Sequence, residues 1–250
     1  MQRWLNRVAV VTGASSGIGA AVIKDLVKNG VRVVGLARRY ERVEDIKKNL
    51  APDVRNNLTA IKCDVCSTKS VNKAFDQIID ELGGVDILVN NAGLYQPGQL
   101  STMDIISAQK VLQTNVMGVV NCTQRAFKSM KERNADGHVI LVNSLTGHYI
   151  PGFNGVEAPN LNMYAPSKFA LRAMRDIYRQ EFIGLGTKIK ITSVSPGLVD
   201  TEMVPDFVKA NVGPAILKPE DISSSIMYAI ATPPHVQVHE MIVRPVGEVL

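Results

Sequence analysis

Cysteine is scarce in this sequence, which has three cysteines among its 250 residues. So few cysteines, and an odd number of them, do not form the disulfide framework of a small secreted protein. Long apolar runs are missing too. No stretch approaches the roughly 20 residues of a membrane-spanning helix, and Met1 to Arg7 lacks the apolar run of a signal peptide. We therefore expect a cytoplasmic protein with no membrane span.

Patterns that bind metals or nucleic acids are also absent. Cys63 and Cys66 have the CxxC spacing, but no second pair of ligands follows them, and the four histidines form no metal pattern. Basic residues give a net charge of +5 but are scattered, with short clusters only at positions 38–39 and 47–48. A nucleic-acid surface needs a clustered basic face. The sequence thus predicts no metal and no nucleic-acid partner.

What the sequence does contain is a regular alternation of short apolar runs and longer amphipathic segments. The runs predict seven strands: Val8–Val11, Val31–Leu36, Leu58–Cys63, Val85–Val89, His138–Val142, Ile189–Val194 and Glu240–Val243. The segments predict helices over Ala20–Asn29, Glu41–Leu50, Val71–Leu82, Met103–Asn115, Val116–Arg133, Tyr164–Phe182 and Pro219–Ala231. Strands that are apolar throughout and separated by helices indicate a parallel sheet covered on both faces. We expect an α/β (Rossmann) fold, one doubly wound parallel seven-stranded sheet with helices on both faces, as a single domain over residues 1–250.

A glycine-rich turn, Thr12–Gly19, follows the first predicted strand and opens a helix. Gly13 permits a tight turn. Gly17 and Gly19 permit a pyrophosphate to lie at the helix N-terminus, where unpaired amides and the helix dipole favour anions. In this strand–turn–helix context the pattern predicts a dinucleotide site.

The end of the second predicted strand bears on which nicotinamide cofactor is used. An acidic residue there would hydrogen-bond the ribose 2′-hydroxyl, but this chain has Ala37 followed by Arg38 and Arg39. A guanidinium group matches a phosphate bidentately. The sequence therefore predicts NADP(H) rather than NAD(H).

Tyr164 and Lys168 lie four residues apart, on one face of a helix with about 5–6 Å between Cβ atoms. A free phenol, with a pKa near 10, is a poor base, and a nearby ammonium lowers that pKa by stabilising the phenolate. We predict Tyr164 as the general acid/base of a hydride-transfer enzyme and Lys168 as its activator. Ser144, after the fifth strand, is predicted to stabilise charge on the substrate oxygen.

These motifs together resemble those of the short-chain dehydrogenase/reductase family. After the pattern T-G-x-x-x-G-x-G the family's order continues with Asn90-Asn91-Ala92-Gly93, Ser144, Tyr164-x-x-x-Lys168 and Ser195-Pro196-Gly197. The resemblance runs from Thr12 to Thr201 and implies a nicotinamide-dependent oxidoreductase. It further implies that Asn115 holds a water in a proton relay. It also implies a homodimer or homotetramer assembled through the helices Val116–Arg133 and Tyr164–Phe182.

The glycine-rich turn, the two arginines and the family resemblance give the full set of expected cofactor contacts. These are Gly13, Ser15, Ser16, Gly17, Ile18, Gly19, Arg38, Arg39, Asp64, Val65, Asn91, Ala92, Gly93, Tyr164, Lys168, Pro196, Gly197, Val199 and Thr201.

The loops expected beyond the strand ends carry many apolar residues and little charge. Such walls favour a lipophilic alcohol or carbonyl over a sugar or a phosphorylated metabolite. Besides Ser144 and Tyr164, the predicted substrate contacts are Leu145, His148, Phe153, Met203 and Phe207.

Four short segments narrow the resemblance further. Met1–Trp4, Ser129–Asn134, Ser144–His148 and Val243–Pro245 look like the dehydrogenase/reductase member eleven group, which includes insect farnesol dehydrogenases and vertebrate keto-steroid reductases. This implies oxidation of farnesol to farnesal with NADP⁺. Reduction of a 3- or 17-keto steroid, or of another lipophilic carbonyl, is the alternative. A catalytically idle NADPH-binding regulator is a third hypothesis, against which the intact catalytic set argues.

Overall fold

The computed structural model describes residues 1–150, 161–212 and 215–247, and within these ranges seven strands form one parallel sheet. The strands are β1 (Val8–Thr12), β2 (Arg32–Ala37), β3 (Leu58–Lys62), β4 (Ile87–Asn90), β5 (His138–Val142), β6 (Lys190–Pro196) and β7 (Glu240–Val243). Their order across the sheet is β3-β2-β1-β4-β5-β6-β7, and every neighbouring pair is parallel. The order in which successive strands are added reverses between β1 and β4, and this switch point creates the crevice where ligands bind in doubly wound sheets.

Helices connect these strands. They are α1 (Gly17–Lys28), α2 (Tyr40–Lys48), α3 (Thr68–Leu82), α4 (Ile105–Leu112), α5 (Gly118–Glu132), α6 (Tyr164–Gly184), α7 (Asp206–Val212) and α8 (Pro219–Ala231). Ser67 and Asp104 cap α3 and α4 by accepting backbone hydrogen bonds from Ser70 (3.2 Å) and Ser107 (2.8 Å). None of the helices in the described ranges is long and apolar enough to cross a membrane.

Strand β1 shows why helices cover both faces of the sheet. Its side chains alternate in direction, as in any strand. Ala9 and Val11 belong to a buried cluster shared with α1, α2 and α8. Val8 and Val10 belong to a second cluster shared with α3, α5 and α6. Both faces of β1 therefore pack against helices through apolar side chains. This confirms the predicted doubly wound architecture.

The predicted element boundaries differ from the structure mainly around Asn115. The sequence predicts two helices that meet between Asn115 and Val116. In the structure α4 continues into a π-helical turn over Gln113–Met117, which continues into α5. A π-helical turn adds a residue to one turn of helix and often marks a functional position. Helix α7 was not predicted.

Candidate active site

The glycine-rich turn between β1 and α1 is held against the end of β4 by a small hydrogen-bond network. The Thr12 hydroxyl accepts from the backbone amides of Asn91 and Ala92, each at 3.0 Å. The Asn91 side-chain amide in turn donates to the carbonyls of Thr12 (3.0 Å) and Gly13 (3.2 Å). Asn91, predicted as a cofactor contact, thus also fixes the shape of the turn.

Two glycines of this turn leave no room for a side chain. Gly13 has φ +65°, and a Cβ atom there would lie 2.8 Å from the Cα of Ala92. A Cβ atom on Gly19 would lie 2.4 Å from the carbonyl oxygen of Gly13 and 2.5 Å from the Asn91 amide nitrogen. The absence of these side chains lets α1 begin directly against the turn, with its N-terminal amides open to a phosphate.

A cleft runs along the carboxyl ends of the strands from this turn to the start of α6. Most of the predicted cofactor contacts line it: Gly13, Ser15, Ser16, Gly17, Ile18, Arg38, Arg39, Asp64, Val65, Asn91, Ala92, Gly93, Tyr164, Lys168 and Thr201. Gly19 lies behind the turn. Pro196, the last residue of β6, and Gly197 and Val199 after it are outside the cleft lining, and Val199 is buried. The sequence motifs, spread over most of the chain, therefore converge on one crevice.

The arginines at the end of β2 have different environments. Arg39 forms an ion pair with Glu202 at 3.0 Å, and Arg42 binds the other oxygen of the same carboxylate at 2.6 Å. These two guanidinium groups hold the pKa of the Glu202 carboxyl below its usual range. Arg38 lines the cleft and forms no ion pair within the described ranges. Of Arg38, Arg39 and Arg42, Arg38 is thus the one without an ion pair among the described residues.

Tyr164, the first residue of α6, lies at the inner end of the cleft. Its hydroxyl lies close enough to the Ser144 side chain for Ser144 to influence its pKa, and the ring of Tyr95 meets its ring edge-on at 5.5 Å. The ammonium nitrogen of Lys168 lies 5.5 Å from the centre of the Tyr164 ring and donates to the carbonyl of Val142 at 2.9 Å. The predicted trio Ser144, Tyr164 and Lys168 is therefore brought together.

The pKa values of these groups differ in part from expectation. Burial raises the pKa of the Tyr164 hydroxyl, and the hydrogen bond from Ser144 only opposes that rise. Burial also lowers the pKa of the Lys168 ammonium to about 8. The Lys168 ammonium binds a backbone carbonyl rather than the phenol, so its role as activator of Tyr164 stays a prediction.

Asn115 projects from the π-helical turn and ties the loop after β4 to α6. Its side-chain oxygen accepts from the Leu94 amide at 2.7 Å, and its amide nitrogen donates to the Leu94 carbonyl and to the Ser167 hydroxyl, each at 3.0 Å. Asn115 is buried. These bonds hold the loop that carries Tyr95 beside the helix that carries Tyr164.

The predicted substrate contacts are only partly assembled around Tyr164. Met203 lines the cleft, with 40% of its surface exposed. Leu145 is buried, and the His148 ring faces away toward Ser195 and Glu240. Phe153 and the side chain of Phe207 lie outside the described residues.

The sequence analysis assigned no site role to several residues that the structure places at the site. They are Thr12, Tyr95, Asn143, Ser167, Glu202 and Arg42. Thr12 is the first residue of the predicted glycine-rich turn, and Asn143 directly precedes Ser144. Their positions alone could therefore have indicated a place at the site. Nothing in the sequence could have paired Glu202 with Arg42, which lies 160 residues away. In the described part of the chain no group of three His, Cys, Asp or Glu residues could hold a metal.

Comparisons with known proteins agree with this geometry. The sequence model of the family described as short chain dehydrogenase matches residues 7–211. Farnesol dehydrogenase of Aedes aegypti is 48% identical over 249 residues, covering 99% of each chain. Dehydrogenase/reductase SDR family member 11 of Mus musculus is 36% identical, covering 100% of this chain and 98% of the relative. The solved closed form of serine dehydrogenase complexed with NADP⁺ is 26% identical, with a TM-score of 0.85 over 97% of this chain and 96% of that one.

Proposed function

Because this chain belongs to the short-chain dehydrogenase/reductase family and is thus an oxidoreductase acting on an alcohol or carbonyl, we propose that it uses NADP(H) and a lipophilic substrate. The family match covers residues 7–211 and confirms the resemblance that the motifs predict. The observation that carries the proposal is the position of Tyr164 and Lys168 in a cleft that begins at the glycine-rich turn, with Ser144 beside Tyr164.

The cleft fits a dinucleotide. Its phosphate end is lined by the backbone of Gly13 and by the open N-terminus of α1, and Gly19 behind the turn leaves no room for a Cβ atom. Arg38 and Arg39 supply positive charge at the adenosine end, and Lys168 lies at the opposite end beside Tyr164. When bound there, a nicotinamide dinucleotide supplies or accepts the hydride.

The chain's own residues move the proton. In carbonyl reduction the Tyr164 hydroxyl donates its proton to the substrate oxygen, and in alcohol oxidation the Tyr164 phenolate accepts the alcohol proton. Ser144, whose side chain lies near that hydroxyl, donates a hydrogen bond to the substrate oxygen and stabilises the charge that develops on it. Lys168, whose ammonium lies 5.5 Å from the Tyr164 ring, stays our predicted activator of the phenolate.

Farnesol is the substrate that we propose first, with farnesal as the product. The support is the 48% identity to the Aedes aegypti enzyme over nearly the whole of both chains. The apolar groups at the site agree with an isoprenoid: Tyr95 packs on Tyr164, and Met203 lies beside Gly93. A keto-steroid or another lipophilic carbonyl remains the alternative substrate.

A matched assay tests the substrate. Initial rates with NADP⁺ are measured for farnesol, geraniol and a 17-hydroxysteroid, and with NADPH for farnesal and the 17-keto steroid. We expect the highest kcat/KM for the farnesol–farnesal pair. Preference for the steroid pair by tenfold or more would replace farnesol with the alternative. Tight NADPH binding without turnover of any compound would instead favour the idle regulator.

The cofactor proposal is tested by reversing the charge at Arg38. We expect Arg38→Asp to lower kcat/KM for NADP⁺ about 10- to 100-fold, because a charge-assisted hydrogen bond contributes about 1.5–3 kcal/mol. The new carboxylate should leave NAD⁺ unaffected or improve its use. The ratio of kcat/KM for the two cofactors is the measurement.

The control for this variant is Lys128→Asp, which makes the same charge change on an exposed lysine of α5. This control should keep the wild-type cofactor ratio. An unchanged ratio in Arg38→Asp would show that Arg38 does not select the phosphate.

We also propose that the protein forms a homodimer or homotetramer. The supporting observation is an apolar surface on α6, where Phe169, Ile177 and Ile183 are 38%, 54% and 61% exposed. Exposed apolar groups of this size often mark an association surface.

A further inference from the structure

His148 ends the short turn that carries Ser144. Ser144 caps a 3₁₀ turn over Leu145–Gly147, and the backbone amide of His148 donates to the Leu145 carbonyl at 2.9 Å. The Ser144 hydroxyl accepts from the amide of Thr146 at 3.2 Å and is 3.0 Å from the Thr146 hydroxyl. Because these bonds hold the hydroxyl within the turn, any displacement of the turn displaces it as well.

The His148 side chain anchors this turn to the far strands of the sheet. Its Nε2 atom lies 3.0 Å from the Ser195 hydroxyl of β6 and 3.0 Å from a carboxylate oxygen of Glu240, the first residue of β7. Only 12% of the His148 side chain is exposed. This imidazole nitrogen is therefore engaged by two protein groups rather than turned toward Tyr164.

Glu240 is itself fixed by α6. Its second carboxylate oxygen forms an ion pair with Arg175 at 2.7 Å, and Arg175 donates two hydrogen bonds of 3.0 Å to Asp176. Arg175 follows Lys168 by seven residues, which is two helical turns, so both lie on one face of α6. The contacts from His148 through Glu240 and Arg175 thus end on the helix that also carries Tyr164.

The turn itself lies directly on α6. A Cβ atom at Gly147 would be 2.8 Å from the Lys168 carbonyl oxygen, so only glycine permits this approach. The position of Ser144 relative to Tyr164 is consequently set by two connections between the turn and α6. One is the close contact at Gly147, and the other is the chain of side chains that starts at His148.

We propose that His148 is a positioning residue for Ser144, and that it acts through Ser195 and Glu240 to hold the Ser144 hydroxyl at that of Tyr164. The expected effect on activity rests on the proposed function. The expected effect on the local stability of the turn does not depend on that function. A displacement of about 1 Å in a catalytic group can lower the rate about 100-fold. Loss of the His148 contacts should therefore give a measurable change in kcat.

Kinetics of single and double variants test the proposal. We expect His148→Leu to lower kcat about 10- to 100-fold, with the dissociation constant for NADPH changed less than about twofold. His148→Gln, whose amide can donate in place of Nε2, should recover most of the rate. In a Ser144→Ala background His148→Leu should cost little more, because residues that act as a unit are not additive. An equal loss in both backgrounds would mean that His148 acts independently of Ser144, as a direct substrate contact would.

Amide hydrogen exchange supplies a readout that needs no substrate. The amides of Thr146 and Gly147 both donate to Ser144, and we expect their protection to fall in His148→Leu. Should that variant fail to fold, Glu240→Gln gives the same measurement with a smaller change. Unchanged exchange at both amides in a folded variant would overturn the proposal, whether or not the wild-type protein oxidises farnesol.

His138 provides the matched control. It is another buried histidine bonded to a hydroxyl of β6, with Nε2 2.9 Å from that of Thr192, but it stands at the opposite end of the sheet. His138→Leu should lower the free energy of unfolding without changing the exchange of Thr146 and Gly147 or selectively lowering kcat. An effect of His138→Leu equal to that of His148→Leu would show a general loss of stability instead.

Discussion

Tyr164→Phe should lower kcat by about a thousandfold or more while leaving the affinity for NADPH within about threefold of wild type. The substitution removes only the hydroxyl that exchanges a proton with the substrate oxygen, and general acid/base catalysis typically contributes 10²–10⁴-fold. The ring, its edge-on contact with Tyr95 and the Lys168 ammonium stay in place. Stopped-flow single turnovers and NADPH fluorescence titration measure the two quantities separately.

Tyr178→Phe is the control for this variant. Tyr178 lies on the same helix, where its ring stacks on Phe182 at 5.7 Å, well removed from the cleft. Loss of the Tyr178 hydroxyl should leave kcat within about twofold of the wild-type value. If the Tyr164→Phe enzyme retained a tenth of the wild-type rate, Tyr164 would not be the general acid/base. Ser144 would then be the next candidate for that role.

Gly19→Ala should weaken binding of NADP(H) by about 100-fold or more. The added methyl carbon would be placed 2.4 Å from the Gly13 carbonyl oxygen and 2.5 Å from the Asn91 amide nitrogen, both well inside van der Waals contact. Because the first of these is backbone, the glycine-rich turn must open, and the N-terminal amides of α1 then lose their alignment toward a phosphate. Isothermal titration calorimetry with NADP⁺ and urea unfolding would report affinity and stability.

Gly184→Ala serves as its control, since nothing lies within 4 Å of a Cβ atom at Gly184 on α6. That variant should bind NADP⁺ with unchanged affinity and be at least as stable as wild type, because alanine favours the helix over glycine. Wild-type affinity in Gly19→Ala would mean that the turn does not hold the cofactor phosphates.

Much of the fold could be read from the sequence, because it depends on local patterns. The predicted bounds of β5, β7 and α8 coincide with the structure, and the other strands shift at their ends by one or two residues. A continuous apolar run is typical of a strand that is buried on both faces. Glycine, proline and capping residues indicate where helices and strands end. The grouping of the motifs at one edge followed from the rule that parallel strands present their carboxyl ends together.

The sequence by itself thus determined the parallel sheet, the glycine-rich turn and the identities of Ser144, Tyr164 and Lys168. Only the tertiary structure decided which groups these side chains meet. It paired Glu202 with Arg39 and Arg42, placed the His148 ring beside Glu240, and bound the Lys168 ammonium to the Val142 carbonyl. It also placed Asn115 in a π-helical turn. The physical reason is that periodicity and turn chemistry act over a few residues, whereas hydrogen bonds, ion pairs and burial join positions that are distant along the chain.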